Sequence, residues 1–283
     1  TAAIYPAFYI TQFNASLGVK GGFAQSAMGR RLRSIMVGIQ FSVAMVLIIV
    51  TAIFFLQYRY MTKFDMGFDR ENIVTFYSGD IGSKDETLID RLLQHPDAVD
   101  ATCSRFNIFQ TGQTWGRSYE EKDYLLRPNS VRWNFLDFFG FEIVEGKGFT
   151  STSAERDEMV IMKSFHQEIG VPVGYHYTDG FDVTGIIKDV RLSAASSKST
   201  EYYSFFCSNK WGGCYNYYVR IGANTDIEAF AKYVQDLCKE LNPNGEEVEL
   251  FFLNDFVESM YKDTRRQTII IGMFAILAIV IAL

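Results

Sequence analysis

The chain has 283 residues, with 27 Lys/Arg against 33 Asp/Glu for a formal net charge of −6. That acidic balance argues against nucleic acid as a partner, and a hydrophobic content of 48% is not that of a disordered chain. The charge is unevenly placed: residues 1–56 carry Lys20, Arg30, Arg31 and Arg33 and no acid, whereas the rest holds 23 basic and 33 acidic residues, a net −10.

In chain order, the first informative element is Ile35–Leu56, 22 residues without a charge directly after Arg30, Arg31 and Arg33. As a helix it spans roughly 33 Å, enough to cross the hydrocarbon core of a bilayer. Lipid offers backbone amides no partner, so a helix is the form this segment must take there. It is too long for a signal peptide, and no small-residue cleavage site follows it. We assign a transmembrane helix to 34–56 and, from its basic flank, a cytoplasmic linker to 1–33, with the remainder outside. Gln40, Ser42 and Thr51 are the polar side chains in the span. They are candidate packing positions, Gln40 as a hydrogen-bond donor to a neighbouring helix or, alternatively, as part of a substrate path.

Residues 57–268 read as one extracytoplasmic domain. Asn72–Tyr77 is β-branched and aromatic, as a strand requires. Ser83-Lys-Asp-Glu86 has capping-box spacing and opens a helix with Leu88, Ile89, Leu92 and Leu93 on one face. Val99–Ser104 is the next strand. The order recurs near the far end: a strand at Tyr215–Ile221, a capping box at Thr225-Asp-Ile-Glu228, an apolar stripe from Ile227 to Leu241, and a strand at Glu247–Leu253. These are two β-α-β units bracketing an inserted lobe at about 105–212. The lobe is rich in strand signals, with Met159–Met162, Phe181–Ile187 and Tyr202–Cys207 as candidates. The expected fold class is therefore an α+β extracytoplasmic domain flanked by transmembrane α-helices.

A final helix starts at Asn254, and no Gly or Pro interrupts it before Ile269, which predicts a continuous rod into a second apolar run, 269–283, with an ordinary break at the membrane interface as the alternative. That run is too short to span a bilayer. Because the chain begins with Thr1 and the run is still going at Leu283, the sequence reads as an excerpt from a longer membrane protein.

Chemistry is sparse. There is no G-x-x-x-x-G-K-[ST] loop for ATP and no G-x-S-x-G elbow. His95, His166 and His176 do not match a ligand spacing, and Asp179 and Asp182 around Gly180 read as a polar turn. We assign no catalytic, cofactor-binding or metal-binding residue, and expect a non-enzymatic chain. Of the cysteines 103, 207, 214 and 238, Cys207 and Cys214 are the candidate disulfide, closing a turn-rich loop. Cys103 reads as a strand residue and Cys238 as a core residue of its helix.

Several blocks resemble the FtsX-like ABC transporter permeases that carry a MacB-type periplasmic core domain. Tyr5–Phe13 and Val19–Gly21 resemble the cytoplasmic linker of such permeases. Gly38–Ser42 with Gln57–Met61 resembles the helix that follows, and Gly67–Ile73 the approach to the outer domain. Phe135–Lys147 and Val183–Asp189 resemble internal hallmarks of that domain, and Tyr261–Gln267 leading into Phe274–Ala278 resembles the return to the membrane. Together they run in order over nearly the whole chain. One departure is that Lys163-Ser164 follows Met162 where the family usually has an Asn-Glu pair.

The resemblance implies a multi-pass subunit of the bacterial inner membrane with its large domain in the periplasm. It implies a cytoplasmic ABC ATPase as partner, a second permease copy, and periplasmic or outer-membrane components. ATP-driven movement would pass from the membrane helices to the outer domain, to export or extract a substrate or to signal mechanically. A transmembrane receptor with an extracytoplasmic sensor domain shares the layout and is the alternative; a membrane-tethered enzyme lacks a catalytic constellation.

Overall fold

The computed structural model describes residues 27–63, 65–109, 112–192, 202–211 and 213–282. The blocks Tyr5–Phe13 and Val19–Gly21 lie outside these residues. Two units are distinct: residues 1–60 with 262–283, and residues 61–261.

In the first unit, α1 (Ala27–Lys63) and α8 (Lys262–Ala282) are each long and apolar enough, by length and composition, to cross a membrane. Their large apolar side chains, from Ile35 and Phe41 to Phe274 and Val280, are mostly exposed, which is costly in water and natural in lipid.

The second unit is α+β with two sheets. The smaller has the order β10 (Leu250–Phe252), β1 (Ile73–Tyr77), β9 (Asn216–Ile221), β2 (Ala98–Ser104), with every neighbouring pair antiparallel. Helix α2 (Asp85–Leu92) connects β1 to β2 and α6 (Ile227–Leu241) connects β9 to β10, each crossover skipping one strand. This is the split β-α-β arrangement, used twice and interlocked.

Both faces of this sheet are covered. On one, Val74, Phe76, Tyr217 and Val219 meet Leu88, Ile89 and Leu92 of α2 and Phe230, Val234 and Leu237 of α6 in a common core. Successive strand residues point to opposite faces, so Tyr217 stacks on Phe76 on the helix side at 5.4 Å. Tyr218 points the other way, its ring 5.2 Å from Phe139 and 5.9 Å from Phe135. Double coverage explains why β1 shows a run of buried residues rather than alternation.

The helix starts differ from the capping-box expectation. Helix α6 is capped by Asp226, whose Oδ1 accepts from the N–H groups of Glu228 and Ala229 at 3.1 Å each, while Thr225 instead bonds back to Gly222 O. Helix α2 follows a 3₁₀ turn (Gly82–Lys84), and its N-cap, Lys84, makes no side-chain cap bond. Its first residue, Asp85, is turned to another task, described below.

The inserted lobe leaves after β2 and returns before β9. Its sheet has the order β3 (Trp115–Tyr119), β4 (Lys122–Ser130), β8 (Tyr202–Cys207), β6 (Glu158–Met162), β7 (Asp182–Ile187), β5 (Ile143–Gly146). It is mixed: β4/β8 and β6/β7 are parallel and the other neighbours antiparallel. Short helices α3 (Phe135–Phe138), α4 (Ser153–Arg156) and α5 (Lys163–Ile169) fill the connections.

The rod predicted from Asn254 into the membrane is broken. Helix α7 (Leu253–Met260) ends, Tyr261 takes φ −106° and ψ 9°, and α8 begins at Lys262. No glycine or proline stands there; Tyr261 is buried and its N–H bonds to Glu258 O three residues back, tightening the last turn.

Candidate functional site

The residues of greatest interest gather at the neck of the lobe, where the chain leaves and re-enters the small sheet. Cys103, near the end of β2, is disulfide-bonded to Cys214, just before β9, across 111 residues, with Cα atoms 5.6 Å apart. The bridge ties the outgoing strand to the returning one. This corrects the Cys207–Cys214 pairing expected from their spacing. Cys207 lies on β8, buried in the lobe sheet, and its thiol donates to Val131 O at 3.1 Å. Burial pushes that thiol upward in pKa, so it is inert rather than poised for exchange. Cys238 is free and buried on α6, its thiol pushed up to about 12 by burial.

Beside the bridge, Asp85 accepts from the Tyr217 hydroxyl at 2.5 Å through Oδ1 and from the Cys214 N–H at 3.2 Å through Oδ2. Burial raises its pKa, with the hydrogen bonds from Tyr217 and Cys214 opposing. The start of α2 is thus spent on holding the half-cystine segment in register with β9.

On the other side of the sheet the blocks that carry the family resemblance converge. Phe68, from Gly67–Ile73, packs edge-on against Phe139 and Phe141, both at 5.7 Å, from Phe135–Lys147. Asp69 N–H donates to Phe139 O at 2.8 Å. Arg220 of β9 ties both: it donates to Asp69 Oδ2 (2.9 Å), Glu71 O (3.1 Å) and Phe138 O (2.8 Å), with its guanidinium 5.2 Å from the Phe138 ring centre. A planar fork meets three acceptors here that a lysine could not reach together. Phe109 lies tilted against Phe68, at 6.0 Å and 43°, and stacks on Phe256 of α7 at 5.4 Å and 9°.

The third block, Val183–Asp189, locks to the second by backbone. A Cβ on Gly146 would lie 2.3 Å from Thr184 O, and one on Gly185 would lie 2.4 Å from Lys147 O. Gly146 also has φ +76°. Two strands at this separation tolerate no side chain. Gly67 is close to the same block, its would-be Cβ 3.1 Å from Asp189 O. Lys163 and Ser164 open helix α5. Met162 offers no side-chain cap to α5, and Asp189, just past the neighbouring strand β7, accepts from Ser164 N–H at 2.8 Å.

The remaining candidates are dispersed. In the helix unit, Ser42 and Thr51 bond back to Gly38 O (2.8 Å) and Leu47 O (2.7 Å) within α1, while Gln40 Nε2 donates to Ile281 O of α8. His95 lies on the rings of Phe230 and Tyr233, His166 faces Val171 O at 2.8 Å, and His176 faces Asp182 at 2.7 Å. Among the described residues no cluster of three His, Cys, Asp or Glu side chains is placed to hold a metal. Sequence reasoning missed Arg220 and Asp85, which look like ordinary strand and helix-start residues until the partner strands are in place.

No protein-family model matches the chain, and no curated protein matches it in sequence. Among solved structures, the chain is similar to the periplasmic region of MacB from Actinobacillus actinomycetemcomitans, at 15% identity and a TM-score of 0.48, covering 71% of this chain and 97% of that one. It is also similar to the extracellular domain of the ABC-type transporter YknZ from Gram-positive bacteria, at 14% identity and a TM-score of 0.48, covering 64% and 100%.

Proposed function

We propose that this chain belongs to the permease subunit of an ABC transporter, an FtsX-like protein with a MacB-type outer domain. The observation that carries the reading is the convergence of its family-like blocks. Gly67–Ile73, Phe135–Lys147 and Val183–Asp189 are far apart in sequence, yet they meet at one neck through Phe68, Phe139, Arg220 and the Gly146/Gly185 contact. In this reading the subunit sits in the bacterial inner membrane with further spans beyond the two apolar helices, its large domain periplasmic. A disulfide in the outer domain supports that placement, because such bonds persist in oxidising compartments.

In this reading ATP hydrolysis falls to a separate cytoplasmic ATPase and this subunit is non-catalytic, in keeping with the lack of a phosphate loop in the given sequence. A second permease copy and periplasmic or outer-membrane components complete the assembly. Movement of the membrane helices reaches the outer domain at its two ends, the Gly67–Ile73 approach and helix α7. Both are gripped by the same aromatic cluster through Phe68, Phe109 and Phe256.

The test is purification of the full-length parent from native membranes in mild detergent. Recovery of a phosphate-loop ATPase with ATP hydrolysis in the complex supports the transporter. Recovery with a kinase or methyl-accepting signalling module, and no ATPase, refutes it in favour of the receptor.

A further inference from the structure

The lobe carries a second feature, away from the neck. Small-ligand sites are usually clefts of about 300–1,000 Å³; here one of ≈ 710 Å³ opens along the edge strand β3. Its wall is an aromatic ladder. The Trp211 and Trp115 rings lie 6.3 Å apart, and the Arg117 guanidinium sits 4.7 Å from Trp115 and 4.1 Å from Tyr177. Tyr175 continues the row 4.9 Å from Tyr177. Below, Phe181 and Phe206 hold the Trp115 ring at 5.6 and 5.3 Å. The wall is therefore set before any ligand arrives.

Three details define what would fit. Trp211 is 51% exposed although its backbone is held on both sides, its N–H donating to Ser208 Oγ and its carbonyl accepting from Arg105. A large indole kept rigid and uncovered is a platform for a flat apolar face. Next, Arg117 pairs with Asp179, and among the described residues no other Lys, Arg, Asp or Glu lines the cleft, so the charges of its described lining balance. Finally, Arg117 Nη1 is shielded from water and has no partner, while Asp179 remains nearly half exposed. The hydrogen-bonding capacity that the pair presents to the cleft is therefore that of the carboxylate, which keeps spare lone pairs. The rest of the lining is glycine and hydroxyl residues.

We propose that this cleft binds a neutral saccharide chain. The C–H face of a pyranose ring would lie on Trp211, and its hydroxyls would donate to the half-exposed Asp179 carboxylate, which Arg117 holds in place from beneath. An anionic ligand meets no net positive charge, and a cationic one no net negative charge. A peptide adding to the free edge of β3 would use its backbone and would need neither the ion pair nor the exposed indole. The inference is independent of the transporter reading.

The test uses the full chain in nanodiscs, in a W133F background so that fluorescence reports Trp115 and Trp211. Chitotetraose, cellotetraose and maltotetraose are titrated separately, with a poly-L-proline peptide as the competing class, and affinities are checked by calorimetry. Saturable binding of at least one saccharide is expected, weakened about tenfold or more by W211A and by D179N, with unchanged unfolding midpoints. No saturation with any of the three overturns the proposal. So does saccharide binding that W211A leaves intact, and so does W211A-sensitive binding of the proline peptide alone.

Discussion

Removing the bridge at the lobe's neck by the double substitution C103S/C214S perturbs a loop of 111 residues. The chain-entropy relation for a loop of that length gives about 4.8 kcal/mol at 25 °C, and native disulfides realise about 2–5 of it. A loss of about 3–4 kcal/mol is a large share of a domain's usual margin. The half-cystines also position Asp85 and Tyr217, so the small sheet loosens with the neck. The assay is guanidinium unfolding at pH 7 of the full chain in detergent, followed by tryptophan fluorescence. Trp115, Trp133 and Trp211 all lie in the inserted lobe, so the signal reports the part that the bridge ties down. C207S is the control: serine keeps a donor for Val131 O and forfeits only part of the buried volume, for a loss near 1 kcal/mol. A non-reducing peptide map should link the segments holding Cys103 and Cys214. A double-variant loss below about 1 kcal/mol, a C207S loss equal to it, or a map joining Cys207 to Cys214 would refute the reasoning.

Four further outcomes are expected. R220M removes three hydrogen bonds at the neck and should cost about 2–3 kcal/mol in the same assay, with R220K recovering less than half. G185A forces a Cβ to 2.4 Å from Lys147 O and should cost more than about 3 kcal/mol or prevent folding, whereas G222A, whose Cβ meets only an ordinary contact at 3.6 Å from Thr225 Oγ1, should express as a folded chain. For Asp157, burial raises the pKa but the hydrogen bonds from Lys210 and Ser208 outweigh it, so the net shift is downward from 3.8. A depressed carboxylate stabilises above its unfolded pKa. The stability gap between wild type and D157N should thus be constant near neutrality and shrink as pH falls below about 3.8, a gap unchanged down to pH 2 counting against it. Asp85 is shifted the opposite way, so D85N should gain on the wild type as pH rises from 3.8 toward neutrality, read from the same pH series of unfolding midpoints.

Much of the fold was legible because its signals are local. The strands at 73–77, 98–104, 158–162, 182–187, 202–207 and 216–221 form where β-branched and aromatic runs place them. The hairpin of β3 and β4 escaped notice for a definite reason. Its two-residue turn is Glu120-Glu121, both at positive φ (46° and 67°), without the Asn or Gly that normally announces such a turn. Pro128 within β4 further disguised that strand, although it is paired on one side to Ser204 of β8. A break between this helix and the apolar run was open from the sequence, but its position at Tyr261 was hidden, since no glycine or proline marks it.

By itself the amino-acid sequence determined the two apolar helices, the sign of charge on either side of the first, the paired β-α-β units and the place of the insertion between them. Each follows from periodicity, length or composition within one segment. Only the tertiary structure decided which cysteines pair, because a disulfide depends on Cα separation in space and the nearer pair in sequence has one member buried in another sheet. It likewise decided that Asp85 and Arg220 secure the neck, and that Trp115, Arg117, Tyr177 and Trp211 share one wall. Those arrangements join residues across long stretches of chain, and no local pattern records which distant strand a given side chain will meet.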